Sequence, residues 1–197
     1  LMVENLMDLS HLPYIHANTI GGNPDLHFGV KTNSSRDGNV VRVWRHMPNS
    51  EPPPTYRAAK DFAGRVDRWQ EIEFQPVLIR INTGACDAGT GAYEGPRDHG
   101  FSMVGFHGIT PETATTTHYF WSVATDAVND GIPEKIFQQT ADTFREDQEV
   151  LELQQLRISA EPDRPLLDIA SDVGSRQARQ VLRKLMKTER ESSAAAA

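Results

Sequence analysis

The chain has 197 residues with 20 basic and 27 acidic side chains, a formal charge of −7 and 38% hydrophobic content. This fits one soluble globular domain and argues against a nucleic-acid partner, whose affinity rests on neutralising phosphates. No run reaches the roughly 18 apolar residues of a membrane span and no basic-then-apolar leader opens the chain, so neither membrane insertion nor secretion is expected. The single cysteine, Cys86, rules out an internal disulfide or a cysteine-rich metal cage built from this chain alone, and fits a reducing cytoplasm.

Residues 1–6 already read as helix with no capping turn before them, so the chain is expected to start within a longer protein. A helix over 3–12 should end or kink near Pro13, which lacks a backbone donor. Segments 27–31 and 40–45 are β-branched and partly alternating, and Asp37-Gly38 between them signals a hairpin. Pro52-Pro53-Pro54 breaks the pattern; a short helix over 55–63 and strands at 69–74, 76–82, 101–109 and 115–125 follow. Residues 84–100 hold five glycines and are expected to be a lid over a pocket or a disordered loop. A helical period runs from Pro133 to about Leu156, another helix spans 176–188, and 191–197 is a low-complexity tail outside the 1–190 domain. Strands followed by a long helix predict an α+β fold, an antiparallel sheet wrapped around that helix.

Two polar groupings carry chemistry. Asn5, Asp8 and His11 are spaced i, i+3, i+6 and would share one helix face, and a turn at Pro13 would allow His16 to fold back toward them. Equally, these are helix-surface and capping groups. In the long helix, Phe137, Ala141, Phe144, Val150 and Leu151 mark an apolar stripe that contains Asp147, whereas Glu146 and Glu149 fall off it. A carboxylate facing a core must be protonated, paired (Arg80 is one candidate) or metal-bound. Two imidazoles and one carboxylate suit Fe(II) with open positions for dioxygen, and equally Zn²⁺ for hydrolysis.

The run Asn5-Leu6-Met7-Asp8-Leu9-Ser10-His11-Leu12-Pro13-Tyr14-Ile15-His16 resembles the Asn-x-x-Asp-x-x-His-x-x-x-x-His signature of Rieske non-haem iron oxygenases, most closely the vanillate O-demethylase-like subgroup. Thr110-Pro111-Glu112-Thr113 leading to Thr117–Trp121, and Phe144–Gln155, are similar to that subgroup's late strand and carboxylate-bearing helix, so the resemblance covers most of residues 1–157. It implies His11, His16 and Asp147 as ligands of a mononuclear iron. It also implies Asp8 as the aspartate bridging to a Rieske-cluster histidine in the neighbouring subunit of a homotrimer, and Asn5 as a non-ligand beside the iron. It implies a helix-grip (START-like) domain, O₂ as co-substrate, and electrons from NAD(P)H through a reductase or ferredoxin partner. Family members carry an N-terminal domain whose Cys-x-His and Cys-x-x-His pairs hold a [2Fe–2S] cluster; with one cysteine this chain cannot ligate it, and is expected to be the catalytic domain alone.

Monooxygenation of an aromatic acid, by O-demethylation or hydroxylation, is the expected activity. Ring cis-dihydroxylation, a zinc hydrolase and a non-catalytic ligand-binding module are the alternatives. Asn82 and His107 are candidates for polar contacts to a substrate carboxylate or phenol, and Phe137 and Phe144 for aromatic pocket walls. His118 is expected to be a hydrogen-bonded sheet histidine, and His27, His46 and His99 ordinary polar residues.

Overall fold

Gly38 adopts a left-handed φ of 56°, as the first position of a two-residue hairpin turn requires. The turn is therefore Gly38-Asn39 alone, and strand β1 (Asn33–Asp37) pairs with β2 (Val40–Ser50) with Asp37 opposite Val40. This corrects the expected first strand. Residues 29–31 are not in a strand, the polar run read as the loop forms β1, and His27 and Phe28 lie outside the residues described by the computed structural model, which are 1–21, 23, 25, 29–76, 78–127 and 131–195. The meander continues through β3 (Val66–Gln75), β4 (Leu78–Asp87), β5 (Phe101–Pro111) and β6 (Thr117–Thr125), every neighbouring pair antiparallel and in sequence order.

Register decides which side chains share a face, because alternate residues of a strand point to opposite sides. Pairings Arg45↔Gln70, Gln70↔Thr83 and Thr83↔Met103 put these four residues in one row, and Val41, Phe74, Ile79, His107 and Trp121 in another. Odd positions of β2 as far as Met47, odd positions of β4, β5 and β6 and even positions of β3 thus form the inner, concave face, and past the register shift in β2 it is Ser50, opposite Val66, that is buried. The long helix, labelled α4 (Ile132–Ala160), crosses it, after α1 (Met2–Met7), α2 (Leu12–Ile15) and α3 (Pro54–Ala59). Its buried stripe is Ile136, Thr140, Thr143 and Asp147. Phe137 is exposed instead, resting on Trp121 with ring centroids 4.9 Å apart. Thr140 and Thr143 hydrogen-bond their hydroxyls back to the carbonyls of Ile136 and Gln139 at 2.7 and 2.9 Å, so hydroxyls on a buried face are satisfied within the helix.

The final helix, α5 (Val173–Ala195), starts earlier than expected and continues into the region read as a tail. Its Ala178 and Val181 share a core with Leu6 and Met7 of α1, Leu9, Leu12, and Val41, Val43, Ile72 and Phe74 of the sheet.

The glycine-rich segment is neither lid nor loose loop. Gly84 lies in β4, and in the segment after Asp87 Ala92 is buried against Trp69 and Cys86. Tyr93 stacks on His46 at 4.4 Å, and Arg97 sits 4.1 Å above the Trp69 ring while bonding Glu71 at 2.7 Å. All these partners belong to the convex face, away from the long helix.

Candidate metal centre

Helix α1 ends earlier than the expected 3–12. At Asp8 the backbone turns extended (φ −92°, ψ 133°), and the Asp8 carboxylate accepts from Ser10 N and Oγ at 2.7 and 2.9 Å, a turn that aspartate favours. His11 then caps the N-terminus of the four-residue α2 and His16 its C-terminus, with Pro13 near its start, so Pro13 begins a helix where it was expected to end one. One short helix between two histidines replaces the shared helix face of the sequence reading.

Both imidazoles turn Nε2 toward one oxygen. His16 Nε2 is 3.1 Å and His11 Nε2 3.5 Å from Asp147 Oδ1, and ligand atoms of the three residues all lie within 4.8 Å of one another. Ligands held about 2.1 Å from a common ion at right angles stand about 3 Å apart, so this donor set fits a first-row divalent ion. Each remaining ring nitrogen faces a carboxylate: His16 Nδ1 is 2.7 Å from Glu146 Oε2, and His11 Nδ1 is 3.4 Å from Asp8 Oδ2. Such outer carboxylates fix ring orientation and raise ligand basicity. Glu146, expected to be solvated, is thereby part of the centre. Asn5 donates Nδ2 to Asp147 Oδ1 at 2.9 Å, and Arg80 pairs with Glu73 on the other side of the sheet.

The electrostatics follow from burial and these partners. Burial opposes a charged His16, but the bonds to Asp147 and Glu146 outweigh it and raise its pKa. Burial likewise pushes Asp8 up, and its contacts with His11 and Ser10 more than offset that, holding it below the ordinary carboxylate value.

A cavity of about 100 Å³ adjoins the three residues, walled by Leu12, Ile72, Ile81, Met103 and Phe144, with Arg68, Gln70 and His107 as polar members. His107 is buried, and desolvation lowers its pKa to about 4 against the opposing pull of Asp147. Its Nδ1 is 2.7 Å from the Tyr119 hydroxyl, which burial and Asp147 hold in the protonated form. Gly105 leaves space for the ring: a Cβ there would stand 2.9 Å from His107 Nε2. Phe144 packs on His107, Tyr119 and Trp121.

Two expected substrate contacts lie elsewhere. Asn82 has an even number in β4, faces the convex side, and donates to Glu71 at 3.0 Å; Phe137 is half-exposed against Trp121 and does not line the cavity. His118 is exposed, 3.6 Å from Glu112. Conversely, Arg68, Gln70 and Glu146 were missed; only the parity of β3 would have placed the first two on the inner face.

The chain matches the family model of the vanillate O-demethylase oxygenase C-terminal domain over residues 1–188. It is 36% identical over 202 residues to the vanillate O-demethylase oxygenase subunit of Pseudomonas sp. (strain ATCC 19151), covering 98% of this chain and 61% of the relative. It is 35% identical over 196 residues to the toluene-4-sulfonate monooxygenase system iron-sulfur subunit of Comamonas testosteroni, covering 96% and 56%. The crystal structure of dicamba monooxygenase bound to 3,6-dichlorosalicylic acid superposes with a TM-score of 0.78 at 22% identity, covering 98% of this chain and 56% of the other, a likeness of fold. The chain thus spans little more than half the length of these relatives.

Proposed function

Because the chain belongs to the vanillate O-demethylase oxygenase C-terminal domain family, we propose that it is the mononuclear-iron catalytic domain of a Rieske-type oxygenase that monooxygenates an aromatic acid, by O-demethylation or hydroxylation. The observation that carries this is the convergence of His11 and His16 Nε2 on Asp147, with a carboxylate behind each ring. The same ligand set could hold zinc, but the relatives are named as oxygenase and iron-sulfur subunits, which favours iron. Fe(II) in this site would supply dioxygen activation, with electrons arriving through a Rieske centre outside this chain and a reductase or ferredoxin partner.

The chain's own residues bind and orient. His11, His16 and Asp147 hold the metal, Asn5 steadies the Asp147 carboxylate, and Glu146 and Asp8 fix the two rings. Asp8, its side chain 19% exposed beside His11, would accept a hydrogen bond from a group of a neighbouring subunit in a homotrimer. The apolar walls exclude water from the reacting carbon, Phe144 packs the aromatic ring, and His107, neutral at physiological pH, offers a hydrogen bond to a substrate oxygen.

Anaerobic titration with Fe(II), read by the electron paramagnetic resonance of the nitric oxide adduct, tests this. One high-spin centre per chain, lost in Asp147→Ala, is expected. A folded sample that takes up no iron, or that hydrolyses esters with Zn²⁺ and no reductant, would overturn it.

A further inference from the structure

Among the described residues that line the cavity, Arg68 is a cation that forms no ion pair. It is 1% exposed. Its two hydrogen bonds go to neutral main-chain carbonyls, Nη2 to Ile20 O at 2.8 Å and Nη1 to Gly21 O at 3.4 Å. Its Nε has no partner, and the adjacent inward residue of β3, Gln70, is 4% exposed with an equally unpartnered Oε1. The ring of Tyr56 lies under the guanidinium, 5.2 Å away, and among the described residues no carboxylate forms an ion pair with it. Other arginines do have such partners: Arg97 has Glu71, Arg179 has Glu4 and Asp168, and Arg42 has Glu73.

A buried cation without a counter-ion is strongly disfavoured. Here it lines the same apolar cavity as the three candidate metal ligands. The carbonyls it bonds belong to the turn Ala17–Gly21 that follows ligand His16, and Gly21 N itself bonds His16 O at 2.9 Å. The guanidinium is therefore tied to the same short segment that carries the metal ligand.

We propose that Arg68, with Gln70 beside it, is the acid-binding pair of the cavity: the arginine supplies the charge for an aryl carboxylate, and the Gln70 amide, turned so that its N–H₂ faces the cavity, supplies a second donor. This rests on the reading of the cavity as a substrate site and names the residue pair that selects acids over neutral aromatics. It takes the role that Asn82, on the opposite face, cannot fill. An aryl sulfonate presents the same charge and would use the same pair.

The test uses the metal-free chain and three probes, benzoate, benzamide and 4-methylbenzenesulfonate, in calorimetric titrations. Benzoate is expected to bind at least tenfold more tightly than benzamide. Gln70→Glu keeps the shape of the side chain and the Arg68 contacts to Ile20 and Gly21, but places an internal carboxylate beside the guanidinium. It is expected to erase the preference, with benzoate losing at least tenfold more affinity than benzamide does. Equal or undetectable binding of benzoate and benzamide to the wild-type chain overturns the proposal, as does a preference that survives Gln70→Glu. Should that variant not fold, the Arg68 Nε–H resonance of the wild type decides: it must shift on adding benzoate and not on adding benzamide. Sulfonate binding without carboxylate binding would overturn the assignment to carboxylic acids. Iron uptake is measured separately, so a chain that binds iron yet ignores charge fails here alone, and one that prefers benzoate but takes no iron fails only the functional reading.

Discussion

At the scale of single residues, His107 carries a pH signature. Its folded pKa of about 4 lies below the ordinary value of 6.5, so below pH 6.5 the unfolded chain takes up a proton that the folded chain refuses. The stability it contributes is complete above pH 6.5, declines as the pH falls, and levels off below about 4, a loss on the order of 3 kcal/mol. Denaturant unfolding of the wild type and His107→Gln across this range should show a shallower slope in the variant; parallel slopes would contradict the assignment. The convergence of His11, His16 and Asp147, the proposed metal ligands, was legible in the sequence because they stand in a recognisable order. Arg68 and Gln70 were not, because a polar residue on an inward row breaks the alternation by which strands are read. Asn82 and Phe137 were misplaced for a related reason: a one-position difference in face is invisible until register and helix phase are fixed.

At the scale of elements, the long helix was legible from its period but its buried stripe was not, since threonines that bond their own backbone occupy positions where aliphatic residues were expected. The glycine-rich segment shows the opposite error. Its composition suggested freedom, yet Ala92, Tyr93 and Arg97 fasten it over Trp69 on the convex face, contacts between distant parts of the chain that no local pattern announces. Helix α5 owes its close approach to the sheet to Gly174, where a Cβ would stand 2.2 Å from Val43 Cγ2 and 3.4 Å from Met7 O. Valine is stiff and the main chain cannot yield cheaply, so Gly174→Ala should destabilise by about 1–3 kcal/mol. A thermal melt within a degree of wild type would show that the helix simply shifts.

For the molecule as a whole, the α+β class and the antiparallel meander were legible because turn chemistry and strand-forming runs recur along the chain in order. How the chain's two ends meet was not. Glu4 of α1 bonds Arg179 of α5, Ser175 Oγ donates to Glu4 O at 3.1 Å, and Arg179 also reaches Asp168 at 3.1 Å. These contacts anchor the segment that leads into Asp8, His11 and His16. Arg179→Ala, which touches no ligand, is expected to weaken Fe(II) affinity about fivefold, the equivalent of about 1 kcal/mol of lost positioning; unchanged affinity would show that the ligand loop holds itself. The consequence reaches the interpretation of genetic data: a lesion in the closing helix would register as loss of iron, so a screen scored on metal content alone would credit the active site with damage done at the far end of the polypeptide.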